Sequence, residues 1–375
     1  KIPVDTLYGD ATVNLARNLI TTRGLHAQSQ SFGAEVDVSA TKLNLETMRV
    51  DVTADADYKG SKASVRGYYD IDDEAYDIKA DVQKVDLTPF LKDSTRVIVA
   101  GQINAEGKGI DINSRAMRSN VSLNLSDCIY DNIDVSGIRL DATLADKAVD
   151  GTLHLPLSMV SDTSMQIKAL TDHRFHVSDF LTPENIGVEL HSKMRNVSAH
   201  VAGEDFAADN LLLDFTTDST TAVALSTKGL SVNANSPMHV LRLVNEVQPL
   251  LSAVSDSTLI NPIVTLTDLT KLDTLRRLIP DINADIELSK GSPVQHIIER
   301  MGLDVNKVAL SLNSDSEQTD LALDASIPEI NHPEDSTAMR LPAAKAAMKV
   351  KLTEGKTNAS LTADSRLTDG VMTLH

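Results

Sequence analysis

Read at alternate positions, the chain separates into an oily side and a wet side. From Ile133 to Leu157 it runs IDVSGIRLDATLADKAVDGTLHLPL. Ile138, Leu140, Ala142 and Leu144 fall on one side, with Arg139, Asp141 and Thr143 on the other. Ala145–Ala148 makes a turn, and Val149, Gly151, Leu153, Leu155 and Leu157 return on the oily side. A period of two on both arms predicts two strands joined by a short hairpin. Ile133 and Val135 join the oily side only after a one-residue phase slip at Ser136–Gly137, which predicts a bulge.

The same unit recurs along most of the chain. Val36, Val38 and Ala40 alternate with polar residues, as do Val50 to Tyr58, Ala63 to Ile71, Tyr76 to Val82 and Val121 to Leu125. Asp72-Asp73-Glu74 reads as a hairpin turn, and Leu87–Leu91, with its proline, as a break. Ser158–Phe180 is less regular and is expected to hold a short crossing segment. Strands resume at Ile186, Val197, Leu211, Val223 and Leu230. At Ser236-Pro237 the spacing turns helical through Leu241, Val244, Leu251 and Val254, with Ser236 as expected N-cap. A second helix is expected between Pro262 and Leu278, and a short third from Ser292 to Gly302. Ile282–Leu288 between them reads as a strand, and alternation returns from Val308 onward. The total is roughly twenty strands around a helical insert of about 65 residues. Three regions result: 1–235, a repetitive antiparallel β-groove region; 236–302, the helical insert with one strand; and 303–375, a continuation of the groove.

Strands that are oily on one side need a cover. Two packed sheets, a closed barrel, or a long sheet curled on itself would each supply one. The chain has 6 Tyr, 6 Phe and no Trp. Sandwiches usually rest on aromatic keystones. The aliphatic monotony favours a mainly β fold built as a long curled antiparallel sheet, a groove of the β-taco kind, with a small helical insert. An aliphatic trough matches an acyl chain chemically. At about 0.8 kcal/mol per methylene, a 16-carbon tail in water is disfavoured by roughly 12 kcal/mol.

Charge narrows the partners. Lys plus Arg is 35 and Asp plus Glu is 53, a net −18, which argues against nucleic acid and anionic membrane surfaces. Cys128 stands alone in a strand-like setting and reads as a buried thiol. No apolar run approaches the ~20 residues of a membrane span, and no signal peptide is visible. Both ends begin or stop inside strand-like patterns and are expected to be cut from something longer.

The units Ile133–Leu155 and Val13–Ala40 resemble the repeats of the AsmA/TamB superfamily, hydrophobic strands alternating with small-residue turns. Ile282–Ser326 resembles the AsmA-like order of strand, Gly-Ser start, short helix and strand pair. The resemblance implies a periplasmic cell-envelope protein of a Gram-negative bacterium, anchored in the inner membrane. It would carry a β-groove for phospholipid transport to, or assembly at, the outer membrane. Inner- and outer-membrane components would then be met through termini outside this sequence. The chain lacks the N-terminal anchor and a recognisable C-terminal module.

Candidate chemistry is sparse. His173 and His176 lack the further ligands of a metal site and read as a surface loop. Asp70 to Asp77 has Ala75 where a calcium loop needs glycine. Gly101, Gly107 and Gly109 precede no Gly-Lys-Ser/Thr and read as turns or bulges. Asn120, Asn124, Asn196 and Asn358 start Asn-x-Ser sequons of little meaning in a bacterial protein. No nucleophile–base pair stands out, so no enzyme and no cofactor are expected. The expected groove lining is Ile138, Leu140, Leu144, Leu153, Leu155, Leu211, Leu213, Leu310, Leu312, Leu321 and Leu323. Leu241, Val244, Leu251 and Val254 would form a helix that gates or caps it. The expected partner is a phospholipid or other acyl lipid. The alternative is a structural or adhesive β-rich surface protein with a sealed core and no ligand.

Overall fold

The computed structural model describes residues 5–30, 34–58, 61–88, 91, 95–160, 165–201, 204–255, 276–295, 306–315, 317–327, 344–353, 356–365 and 369–374. Twenty-two strands form one sheet, antiparallel throughout its described pairings. In chain order they begin with β1 (Thr6–Asn14), β2 (Leu19–Ser29), β3 (Ala34–Asn44), β4 (Arg49–Tyr58), β5 (Ser61–Asp70), β6 (Ala75–Asp86) and β7 (Val97–Lys108). Next come β8 (Arg118–Tyr130), β9 (Ile133–Asp134), β10 (Ile138–Ala145), β11 (Ala148–Val160), β12 (Met165–Ser178), β13 (Gly187–Val201), β14 (Glu204–Thr217), β15 (Thr221–Thr227) and β16 (Leu230–Ser236). Helix α1 (Val240–Ser255) precedes β17 (Ile282–Ser289), β18 (Lys307–Ser314), β19 (Gln318–Ile327), β20 (Ala344–Thr353), β21 (Lys356–Ser365) and β22 (Asp369–Leu374). Two compact units share these strands: Lys1–Pro183 with Met194–Asp205, and Glu184–Lys193 with Phe206–His375.

In the first unit, β1 to β8 pair with their neighbours in chain order. β8 then pairs with β9 and β10, β10 with β11, and β11 with β12. Short turns dictate this order. Asp146 and Lys147, at φ +52° and +64°, close the β10–β11 hairpin with two residues in left-handed conformation. That geometry matches the twist of the flanking strands.

The phase slip at Ser136–Gly137 is present. Asp134 to Arg139 is five steps, while their partners Ser158 to His154 span four. Gly137, at φ +88°, takes up the extra residue. Register shifts also fall between Val82 and Val85 and between Ala100 and Gly101. All three abut one cross-strand row, Val82, Gly101, Leu125 and Ile138. Each bulge bends its strand and raises its twist, so these strands bend along a common line.

Among the described residues of Ser158–Phe180 there is no crossing segment. β11 runs to Val160 and pairs with β12 over thirteen positions. Thr171 and His173 occupy oily-side positions of β12, opposite Leu155 and Leu153, and so hide the alternation from a reading of hydrophobicity. His173–His176 is therefore strand and not a surface loop.

In the second unit, β14 to β22 pair in chain order. β16 pairs directly with β17, so the strands on either side of residues 237–281 are neighbours in the sheet. Ser236 does not cap the helix. It is buried at the end of β16, donating to the Asp281 carbonyl at 2.7 Å and accepting from the Met238 N–H at 3.3 Å. The helix starts four residues later, where Thr217 Oγ1 accepts from the Val240 N–H (3.1 Å) and His239 Nδ1 from the Leu241 N–H (3.2 Å). Thr217, Thr221, Ser236, Ser314 and Thr319 are all buried near this end of the strands, bonded to one another or to backbone. The expected second helix lies mostly outside the described residues, although 276–278 are helical; the third is described only to Gln295.

Candidate functional site

Cross-strand partners in an antiparallel sheet share a face, so register turns separate alternations into continuous rows. In the first unit one row reads Leu25, Val38, Ala54, Val65, Ala80, Ile103, Leu123, Leu140 and Leu153, one residue from each of nine strands. With strands about 4.8 Å apart, its eight spacings cover roughly 38 Å. It ends on β12 at His173. In the second unit the corresponding row reads Leu213, Leu225, Val232, Ile286, Leu310, Leu323 and Met348. A neighbouring row carries Phe215, Val223, Ala234, Ala284, Leu312, Leu321 and Val350.

All eleven expected lining residues sit on these apolar faces. Leu140 faces Leu153, Leu310 faces Leu323 and Leu312 faces Leu321; Ile138, Leu144, Leu155, Leu211 and Leu213 occupy adjoining positions. Every one of them is half-buried. Among the described residues, five hydrophobic residues are buried, at 5–8% exposure: Ala100, Ala169, Met238, Val350 and Leu352. Leu25 and Val65 are 37% exposed and Ile103 is 40% exposed, although each has a strand on either side. A second packed layer would have covered them.

On helix α1, two of the expected gate or cap residues are exposed. Leu241 is 46% and Val244 57% exposed. Leu251 and Val254 belong to the helix, and their side chains lie outside the described set. The less exposed positions are Val240, Leu243, Glu246 and Val247.

The opposite face is polar, and a hollow of about 790 Å³ lies there. Asn104, Asn120 and Thr143 form part of its floor, with Lys79, Glu106 and Arg174 among the longer side chains around it. It is an open depression between solvated side chains, so its volume carries less weight than the continuity of the apolar rows.

Histidine–aspartate pairs recur between neighbouring strands. Nδ1 stands 2.7 Å from a carboxylate oxygen in His26–Asp37, His154–Asp172, His176–Asp150 and His200–Asp205, and 2.6 Å in His191–Asp214. His191 also meets Glu189 through Nε2 at 3.0 Å. Two carboxylates on two ring nitrogens require both to carry hydrogen, and hydrogen bonds to Asp214 and then Glu189 raise its pKa. Asp172 is held below the usual carboxylate range, first by His154 and also by Arg195. Burial pushes His173 down and the half-buried Cys128 thiol up, the latter with help from Asp134. A thiol so placed is not activated.

No helix among the described residues is long and apolar enough to cross a membrane. Compared with known family models, with curated proteins and with solved structures, the chain matches none of them.

Proposed function

We propose that the apolar face holds the acyl chains of a phospholipid or similar lipid, as part of an AsmA/TamB-like cell-envelope protein. In that reading the protein works in the periplasm, where the face shelters tails during lipid transport or outer-membrane assembly. The observation that carries it is the nine-strand row from Leu25 to Leu153, continuous yet incompletely covered. Contiguous exposed apolar surface of this extent is unusual on a protein with no partner for it. Aliphatic side chains without aromatic platforms suit a flexible hydrocarbon better than a sugar ring or a base. Inner- and outer-membrane components would be met through parts of the protein beyond this sequence.

Native mass spectrometry of the purified chain tests this directly. Co-purified phospholipid, or uptake from vesicles, is the expected result. A folded chain that carries no lipid and acquires none ends the reading and leaves a structural or adhesive role.

A further inference from the structure

We propose that His26, Glu35 and Asp37 form a site for one divalent transition-metal ion of the Zn²⁺ or Co²⁺ type. His26 stands on β2 and the two carboxylates at alternate positions of β3, so register brings all three to one face. His26 Nδ1 is 2.7 Å from Asp37 Oδ1 and 3.5 Å from Glu35 Oε1. The three donor atoms lie within 4.8 Å of one another. The imidazole is buried and stacks on Tyr8, with ring centroids 4.8 Å apart and planes 28° apart. That stack holds the ring with Nδ1 toward the carboxylates. Ligands about 2.0–2.2 Å from a tetrahedral ion are about 3.4 Å apart, which the Glu35 spacing already meets. Asp37 has to retreat by less than about 1 Å.

Charge points the same way. Register sets Asp37 opposite Asp55 and Glu35 opposite Asp57, two like-charge pairs side by side. Carboxylates directly opposite one another destabilise a sheet, and a dication between strands offsets that repulsion. Lys62 faces Asp57 from β5, two strands away from β3. The other histidine pairs lack this arrangement. His154, His176 and His200 each set one carboxylate against Nδ1, and His191 divides its two carboxylates between opposite nitrogens. Among the described residues, the three donors converge at His26 alone. On binding, the ion replaces the hydrogen between Nδ1 and Asp37, which passes to solvent; the bound imidazole is neutral with its one hydrogen on Nε2, and water completes the coordination. One imidazole with two carboxylates suits borderline transition metals, whereas Ca²⁺ and Mg²⁺ prefer all-oxygen sets.

The test is titration of the whole chain with Co²⁺, followed by visible absorption, and with Zn²⁺, followed by calorimetry. One ion per chain is expected. Glu35→Gln and Asp37→Asn, both at half-exposed carboxylates, should each weaken binding at least about tenfold with an unchanged circular dichroism spectrum. His176→Ala removes a pair with a single carboxylate and should leave binding intact. The proposal is overturned if the wild-type chain shows no saturable binding, or if both carboxylate variants bind like wild type. It is equally overturned if His176→Ala weakens binding as much as they do, because the ion is then spread over the acidic surface.

Discussion

Leu140→Asp places a charge in the nine-strand row, between Leu123 and Leu153. Leu140 is half-buried, so losing its apolar surface removes about half of the 1.5–3 kcal/mol assigned to a fully buried leucine, or roughly 1 kcal/mol. The new carboxylate reaches water along the open face, so no large additional penalty arises from burial. The effect on a bound acyl chain is greater. Displacing two or three methylenes from the row at about 0.8 kcal/mol each weakens binding by about 2 kcal/mol, roughly 30-fold. Competition binding with a fluorescent fatty acid would read this, with circular dichroism and urea unfolding to confirm the fold. Thr152→Asp is the matched control, since Thr152 lies on the polar face beside Leu153. If folded Leu140→Asp keeps wild-type affinity, or if Thr152→Asp loses as much, acyl chains do not lie on this surface.

Four further outcomes follow from particular contacts. Gly137→Val should destabilise the first unit by about 1–2 kcal/mol in urea unfolding, because φ +88° is strained for a branched side chain even where space exists. Thr221→Val removes the hydroxyl that donates to the Met238 carbonyl at 2.8 Å, and should reduce stability by about 1–3 kcal/mol on the same assay. The raised pKa of His191 means that its carboxylate contacts stabilise fully below the ordinary value of about 6.5 and are lost as pH climbs through the folded value. His191→Gln should therefore lower the Tm at pH 6 and match wild type at alkaline pH; an equal deficit at both would refute the assignment. A photoreactive lipid should label Leu123 on β8 more than Val244 on α1, which is 57% exposed; the reverse result would make the helix the lipid contact.

Legibility varied with how local each feature is. The β10–β11 hairpin was readable because its alternation is unbroken and its turn is short. β12 is not, since Thr171 and His173 stand on its oily side, opposite Leu155 and Leu153. Ser236 looked like a helix cap because a serine before a proline has the same appearance whether it caps or is buried; Asp281, its actual acceptor, is 45 residues away. The hydroxyls of Thr217, Thr221, Ser314 and Thr319 gave no sign of their common burial. Neither His26 nor its carboxylates stood out, because their convergence needs the β2–β3 pairing. An alternating Glu-x-Asp in a strand was the one local signal available.

Alternation by itself determined that this chain is mainly β, that its strands are one-sided, and that short turns place successive strands beside one another. It also located the slip at Gly137, since one inserted residue exchanges the two sides of a strand. Tertiary structure decided which oily residues align into rows, how far those rows stay uncovered, and which polar groups meet across strands. The reason is physical: side-chain direction along a strand follows from the local backbone, whereas pairing partners depend on turn lengths and bulges accumulated over many strands.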